Sequence, residues 1–231
     1  MYNIIVCDDE RDIVSALEIY LTAEGYHVLR AENGREALAL ANSEDAHLML
    51  LDVMMPQMDG LETLSRLREF SNIPVILLTA KSEDTDKILG LNVGADDYIT
   101  KPFSPSELVA RVDAVYRRVS MSSAKQEPET ELRSGPFQLN IRSRSLTRDG
   151  QKIDLTQVEF QLMEHFMRNP NVALDRSALL TTVWGDSYFG DDKIVDVNVR
   201  RLRMKIEPEP SNPKYLTTVW GFGYKLSLIH I

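Results

Sequence analysis

Five short apolar segments, separated by stretches with helical spacing, dominate the first 120 residues. They cover residues 4–7, 27–29, 48–51, 75–78 and 98–100. Between the first two, Ile13, Leu17 and Leu21 recur on one face of a helix, and Gly25 follows as a stop signal. Strands that alternate with helices predict a parallel sheet covered on both faces, which is the doubly wound α/β class.

The second half of the chain has a different pattern. Short strand-like segments at 137–141, 145–147 and 152–155 precede a helix that opens with the capping box Thr156-Gln-Val-Glu159. A second helical segment, a basic helical segment at 194–206 and a hairpin around Gly221-Phe222-Gly223 follow. This order predicts a winged helix-turn-helix of the α+β class.

The segment between the two patterns is polar and has no period. We predict a flexible linker at 121–133, which separates a domain at 1–120 from a domain at 134–228.

Charge is distributed unevenly over these domains. The whole chain carries a net charge of −9; residues 1–120 hold 11 Lys and Arg against 21 Asp and Glu, and residues 121–231 hold 15 against 14. Any nucleic-acid surface must therefore be local, because distant charges are screened beyond about 10 Å.

Cellular location is indicated by what the sequence lacks. Cys7 is the single cysteine, so no internal disulfide forms, which fits a reducing compartment. No apolar run approaches the roughly 18 residues of a membrane span, and the start lacks a basic, signal-like segment. We expect a cytoplasmic protein without a membrane partner.

Reactive side chains follow four of the five predicted strands. Asp8 and Asp9 follow the first, Asp52 the third, Thr79 the fourth and Lys101 the fifth. Because parallel strands place their carboxyl ends at one edge of the sheet, these residues should meet there. Converging carboxylates suit a hard ion, and Mg²⁺ fits best. Asp52 is the candidate nucleophile for a phosphoryl group, with Lys101 neutralising charge and Thr79 offering a hydroxyl.

Several motifs resemble the signature of two-component receiver domains, with their five-stranded flavodoxin-like or CheY-like sheet. They are Asp8-Asp9-Glu10, Leu51-Asp52-Val53-Met54-Met55-Pro56, Asp59-Gly60, Leu78-Thr79-Ala80, Gly94-Ala95-Asp96-Asp97-Tyr98 and Lys101-Pro102-Phe103.

The resemblance assigns roles to these residues. It implies that Asp52 is the phosphoacceptor. Mg²⁺ would bind Asp9 and Asp52 directly, Asp8 through water, and the carbonyl of Met54. It also implies a cis bond between Lys101 and Pro102, and a switch in which Thr79 moves toward the phosphoryl group while Tyr98 turns inward. Taken alone, Asp59 is interpreted as a helix cap.

The resemblance further implies that phosphorylation favours a homodimer, formed by the surface around the fifth strand and its two flanking helices. The expected pairs across the two-fold axis are Lys87 with Glu107, Asp97 with Arg111, and Asp96 with Arg118, with apolar contact from Ile88 and Leu91. The alternative is that these charges form a solvated surface.

The basic helix is a candidate for DNA recognition. At 100° per residue, Val195, Val199, Leu202 and Ile206 face the core. Other residues would face or flank DNA, with Arg recognising guanine edges and Val197 a thymine methyl. This expected DNA-contacting set comprises Lys193, Val197, Asn198, Arg200, Arg201 and Arg203. In isolation, a solvated amphipathic helix is the alternative.

The second half resembles the effector domain of OmpR/PhoB-type response regulators. The matching motifs are Leu155-Thr156, Val183-Trp184-Gly185, Val195-Asp196-Val197, Arg200-Arg201-Leu202-Arg203 and Gly221-Phe222-Gly223-Tyr224. One departure is Trp220, which stands where the family usually has a wing Arg, as in vancomycin-resistance-type regulators. Trp220 packs either against DNA sugars or against its own domain. Residues 228–231 are either a strand extension or a cloning remnant.

The function expected from these features is a response regulator. A sensor histidine kinase would phosphorylate it, and it would then bind promoter DNA, with RNA polymerase as a further partner. The main alternative is a phosphohydrolase with an aspartyl nucleophile, but Met54 stands where such enzymes have an acid–base carboxylate. We therefore expect only slow self-dephosphorylation. A receiver that controls RNA or protein binding is the second alternative.

Overall fold

The chain divides into two compact units, Met1–Val115 and Tyr116–Ile231. The computed structural model describes residues 2–80, 93–120, 130–185, 188 and 192–227, without the side chains of 117–120. In this part of the chain, no helix combines the length and apolar composition that crossing a bilayer requires.

A single parallel sheet organises the first unit. Its strands are β1 (Asn3–Cys7), β2 (His27–Ala31), β3 (Leu48–Asp52), β4 (Val75–Ala80) and β5 (Asp97–Lys101), and the described helices are α1 (Arg11–Ala23), α2 (Gly34–Ser43), α3 (Gly60–Leu67) and α4 (Pro105–Ser120). The strand order is β2-β1-β3-β4-β5, and every neighbouring pair is parallel. The predicted doubly wound α/β fold is confirmed.

Both faces of this sheet are buried, which explains its nearly continuous apolar strands. On one face, Ile4 and Leu50 belong to a core cluster that includes Leu17 of α1 and Val112 of α4. On the other face, α2 contacts β1 and β2, and also packs against α3. Each large apolar side chain buried in this way stabilises the fold by about 1.5–3 kcal/mol before the entropy of ordering is counted.

The second unit is a winged helix, as predicted. It contains the strands β6 (Glu131–Ser134), β7 (Phe137–Asn140), β8 (Ser145–Arg148), β9 (Gln151–Ile153), β10 (Leu174–Asp175), β11 (Leu216–Val219) and β12 (Gly223–Leu226), and the helices α5 (Gln157–Arg168), α6 (Arg176–Trp184) and α7 (Lys193–Ile206). The first four strands form an antiparallel sheet in chain order, and the last three pair as β10-β12-β11.

Two strands differ from the sequence-based expectation. β6 begins at Glu131, inside the segment predicted as linker, because Leu132 is buried against its partner Leu139. A single apolar residue among polar ones shows no period, so the strand was missed. The two-residue strand β10 was missed because it is too short to show alternation. It pairs with β12, where a Cβ on Gly223 would lie 2.0 Å from the carbonyl oxygen of Leu174.

Candidate functional site

Three carboxylates meet at the carboxyl edge of the parallel sheet. Asp8 follows β1, Asp52 ends β3, and these two strands are direct neighbours. One carboxylate oxygen from each of Asp8, Asp9 and Asp52 lies within 4.8 Å of the others. Asp8 and Asp52 are buried, whereas Asp9 is exposed. The convergence expected from the strand order is therefore present.

Lys101, at the end of β5, provides the cation of this site. Its Nζ lies 2.7 Å from Oδ2 of Asp8 and 2.8 Å from Oδ1 of Asp52. The peptide bond from Lys101 to Pro102 is cis, as the resemblance implies. One ammonium group thus bridges two carboxylates that would otherwise repel each other.

Burial and ion pairing shift the pKa of each group in the Asp52–Lys101 pair in opposite directions. Burial raises the pKa of Asp52 above its usual value, although the hydrogen bond from Lys101 opposes the shift. Burial also lowers the pKa of Lys101, but its hydrogen bonds to Asp52 and Asp8 outweigh that effect, and the net pKa is raised. The ammonium therefore stays charged at neutral pH.

The loop after β3 approaches Asp52 closely. The backbone N–H of Met54 donates to Oδ2 of Asp52 at 3.0 Å, while the side chain of Met54 is largely exposed. Asp59 caps α3 by accepting from the N–H of Glu62, as its interpretation as a cap predicted. A Cβ on Gly60 would lie 2.1 Å from the carbonyl oxygen of Asp52, so only glycine lets α3 begin here.

The two predicted switch residues lie on neighbouring strands. Thr79 is buried near the end of β4, and its hydroxyl donates to the carbonyl of Ala80 at 3.4 Å. Tyr98 is half-buried in β5, and its N–H donates to Oδ1 of Asp97. Thr79 pairs in register with Thr100, two residues beyond Tyr98.

The predicted dimer residues are only partly described. Lys87, Ile88 and Leu91 lie outside the described residues, as does the side chain of Arg118. Arg111 of α4 binds Glu107 of the same helix at 3.1 Å and Asp97 of β5 at 3.1 Å, all inside one chain. Asp97 is only 1% exposed, so the expected pair Asp97–Arg111 forms within one chain in this conformation and not at the surface.

Asp96 requires a correction. It was expected at the dimer surface, but its side chain is fully buried. Its Oδ2 accepts from Arg68 Nη2 at 3.0 Å and from the N–H of Val75 at 2.9 Å. Arg68 also donates to the carbonyl of Gly94. Asp96 therefore anchors the start of β5 to the interior and cannot pair across a two-fold axis in this conformation.

The basic helix α7 is buried on the side that the sequence predicted. Val195, Val199, Leu202 and Ile206 are all fully buried. Lys193 and Arg200 are exposed and Val197 is half-buried, so the side chains of these three reach the surface of the domain. Met204, on the same side, is 65% exposed.

Two residues of the expected DNA-contacting set lie inside the domain instead. Arg201 is buried, and its Nη2 lies 3.2 Å from Oε1 of Glu159. Asn198 is fully buried; it accepts from Arg201 and donates to the carbonyl of Ile194. The buried arc of α7 is wider than the apolar residues alone suggest, because α5 packs against the helix and brings Glu159 beneath it.

The remaining two predicted DNA residues lie on or near the hairpin. Arg203 is half-buried and donates to the carbonyl of Leu216 and to Oγ1 of Thr218 on β11. Trp220 is 92% exposed, beside Gly221 with its φ of 74°. Of the two alternatives for Trp220, packing against its own domain is therefore excluded in this conformation.

Sequence reasoning missed two buried acidic residues that organise α7. Glu159 accepts from Lys205 Nζ at 2.6 Å and from the N–H of Thr156 in the capping box. Glu207, which caps the end of α7, binds the backbone at the start of β11. The capping box was the only sequence signal for Glu159, and Glu207 gave none.

Comparisons with known proteins agree with this arrangement. Residues 4–113 match the response regulator receiver domain, and residues 150–226 match the C-terminal domain of transcriptional regulatory proteins. Over 223 residues, the chain is 41% identical to the uncharacterized transcriptional regulatory protein YcbL of Bacillus subtilis, covering 96% of this chain and 99% of that protein.

Further relatives share the complete two-domain length. The sensory transduction protein RegX3 of Mycolicibacterium smegmatis is 40% identical, over 98% of this chain and 99% of its own. The response regulator DrrB of Thermotoga maritima, an OmpR/PhoB homologue, is 32% identical with a TM-score of 0.50, over 98% of this chain and 99% of that structure. A receiver and a DNA-binding effector in one polypeptide, matched along nearly its whole length, place this chain in the OmpR/PhoB-type family of two-component transcriptional response regulators.

Proposed function

We propose that Asp52 accepts a phosphoryl group from the phosphohistidine of a sensor kinase. The observation that carries this proposal is the position of Asp52, buried at the sheet edge with Lys101 at 2.8 Å. A carboxylate oxygen would attack phosphorus, the bond from phosphorus to the imidazole nitrogen would break, and its electron pair would return to the imidazole. Lys101 would neutralise charge on the transferring group.

Mg²⁺ is the cofactor that the acidic cluster fits. The clustered side-chain donors are carboxylate oxygens, which a hard divalent ion prefers. Asp8, Asp9 and Asp52 would hold the ion, together with the carbonyl of Met54. When bound, the ion would neutralise negative charge on the incoming phosphoryl group.

We propose that this site does not support rapid turnover. Met54, two residues after the nucleophile, has no proton to give or accept. The acyl phosphate would therefore be lost by slow self-hydrolysis, with Lys101 and Thr79 positioned beside the leaving group rather than a general base.

Phosphorylation would promote a homodimer through the surface around β5 and α4. Arg111, Asp97 and Glu107 already pair within one chain, so pairing across an axis replaces existing contacts. Such exchange mainly sets register rather than adding affinity, because each new contact replaces an existing one. Thr79 and Tyr98 would link the phosphoryl group to this surface.

The dimer would place two copies of α7 on promoter DNA, on half-sites about one helical turn apart. Val197 and Arg200 would enter the major groove, Lys193 would contact phosphates, and Trp220 would contact sugars from the hairpin. Since the chain must reach chromosomal DNA, we propose that it acts in the cytoplasm, with RNA polymerase as a further partner.

The test combines three measurements on the full chain. Acetyl phosphate with Mg²⁺ should add one phosphoryl group by intact mass, increase the sedimentation coefficient and extend footprints on genomic DNA. Asp52→Asn should lose all three responses, whereas Asp59→Asn, which only weakens a helix cap, should keep them. A phosphoryl group on Asp52 that changes neither sedimentation nor footprint would contradict the proposal.

A further inference from the structure

Glu207 joins the end of the basic helix to the start of the hairpin. It is the C-cap of α7 and is only 6% exposed. Its carboxylate accepts from three successive backbone N–H groups: Lys214 at 2.8 Å, Tyr215 at 2.9 and 3.1 Å, and Leu216 at 2.6 Å. Charge-assisted bonds of this kind are about twice as strong as neutral ones.

The chemistry of the connecting segment makes a carboxylate suitable here. Pro208, Pro210 and Pro213 lack N–H groups, so the donors near the end of the loop are those of residues 214–216. A carboxylate is an acceptor only, and each oxygen can take two hydrogen bonds. Glutamine at position 207 would keep the size but would turn an NH₂ donor toward other donors.

Further contacts hold the hairpin along the length of α7. Arg203 donates to Leu216 at 2.8 Å and to Thr218 at 2.9 Å, both on β11. Near the start of α7, Asp196 accepts from the hydroxyl of Tyr224 on β12 at 2.6 Å. The hairpin is thus joined to the first turn of α7 through Asp196, and to its last turn and C-cap through Arg203 and Glu207.

We propose that Glu207 is a positioning residue for DNA recognition, which fixes the hairpin that carries Trp220 relative to the exposed side of α7. The inference rests on the proposed DNA contacts of both elements. A duplex binds Arg200 and Trp220 together most tightly if their separation is set before binding. Otherwise, the cost of ordering the hairpin lowers affinity.

A double-mutant cycle on the full chain tests this role. The probe is a duplex recovered by footprinting genomic DNA with the acetyl-phosphate-treated protein. Glu207→Gln should weaken binding about tenfold, within the usual range for coupled residues. Trp220→Ala should also weaken binding. The double variant should bind the duplex no more weakly than the single variant with the lower affinity, because Glu207 acts through the hairpin tip.

The two tryptophans report on structure in the same samples. Trp220 is exposed at the tip, whereas Trp184 is 1% exposed in the core. In Glu207→Gln, the fluorescence anisotropy of Trp220 should fall while the emission of Trp184 stays blue-shifted. Glu209→Gln is the matched control, because Glu209 is exposed in the same loop and its side chain accepts only a 3.4 Å bond from Ser211 among the contacts seen.

Several outcomes would overturn the inference: unchanged affinity in Glu207→Gln, additive losses in the double variant, or no loss in Trp220→Ala. If Glu207→Gln fails to fold, Glu207→Asp replaces it in the cycle, since it keeps the charge but shortens the reach. Failure of the wild-type chain to bind any duplex would instead refute the proposed function.

Discussion

The guanidinium of Arg201 and the carboxylate of Glu159 form an ion pair inside the effector domain, 3.2 Å apart and shielded from solvent by their own helices. The neighbouring Arg200 is exposed. The two adjacent arginines of α7 therefore differ in position: Arg201 pairs with Glu159 inside the domain, and Arg200 faces solvent. The sequence alone had assigned both to DNA.

Arg201→Ala should destabilise the effector domain by about 3 kcal/mol, because it leaves Glu159 buried with Lys205 as its remaining cation. Urea unfolding followed by circular dichroism measures this loss. Arg200→Ala is the control and should shift stability by less than about 0.5 kcal/mol. A stable Arg201→Ala that had merely lost selectivity at one base pair would show that Arg201 contacts DNA.

Arg200→Ala should weaken binding to the footprinted duplex by about 1–3 kcal/mol and relax preference at one base position. Lys193→Ala should weaken binding to all sequences alike and reduce the salt slope by about one. Titrations at several salt concentrations, against a set of single-base variants, separate the two effects. Equal losses for every duplex in Arg200→Ala would argue against base recognition.

Mg²⁺ should stabilise the receiver, since a ligand that binds only the folded state adds about 1.4 kcal/mol at ten times its dissociation constant. Thermal unfolding with Mg²⁺ and with EDTA measures the difference. Asp9→Asn should remove it, because Asp9 is the exposed member of the acidic cluster and contributes little to the core. Asp45→Asn, on an exposed carboxylate at the other end of β3, should leave it intact.

Cys7 should resist alkylation in the folded protein. Burial, aided by the nearby Asp8 and Asp52 carboxylates, raises the pKa of its thiol from 9.0 to about 12. The thiolate fraction at pH 8 is then lower by about a thousandfold than in the unfolded chain. Iodoacetamide labelling followed by mass spectrometry should show modification only after urea is added.

The same shift predicts a pH dependence with a defined sign. Because the folded pKa of Cys7 is the higher one, its contribution to stability is complete below about pH 9 and is lost as the pH rises toward 12. Cys7→Ala should lack this component of alkaline destabilisation. Rapid labelling of native protein at pH 8 would be inconsistent with both statements.

Asp96→Ala should destabilise the receiver by about 3 kcal/mol, because it leaves Arg68 without its buried carboxylate. Glu107→Ala, at a partly exposed pair, should cost less than about 1 kcal/mol. Urea midpoints of the two variants give the comparison. An unchanged midpoint for Asp96→Ala, together with lost dimerisation, would show that Asp96 acts at the dimer interface.

The sheet and its acidic edge were predictable because strand order and direction alone bring Asp8, Asp52 and Lys101 together. Burial of polar residues was not predictable in the same way. At 100° per residue, Arg201 lies away from the apolar side of α7, and only the packing of α5 reveals the carboxylate beside it. Asp96 was wrongly predicted at the surface for a similar reason. Its partner Arg68 is 28 residues away, and no sequence pattern links the two.

Both oxygens of Asp52 are already engaged, one with the Lys101 ammonium and the other with the Met54 amide. An oxygen that becomes bonded to phosphorus is a poorer acceptor than a carboxylate oxygen. Acyl phosphate formation at either position would therefore weaken an existing bond to the end of β5 or to the loop after β3. The covalent change and the first displacement at the sheet edge would then be one event, upstream of the proposed response of Thr79 and Tyr98.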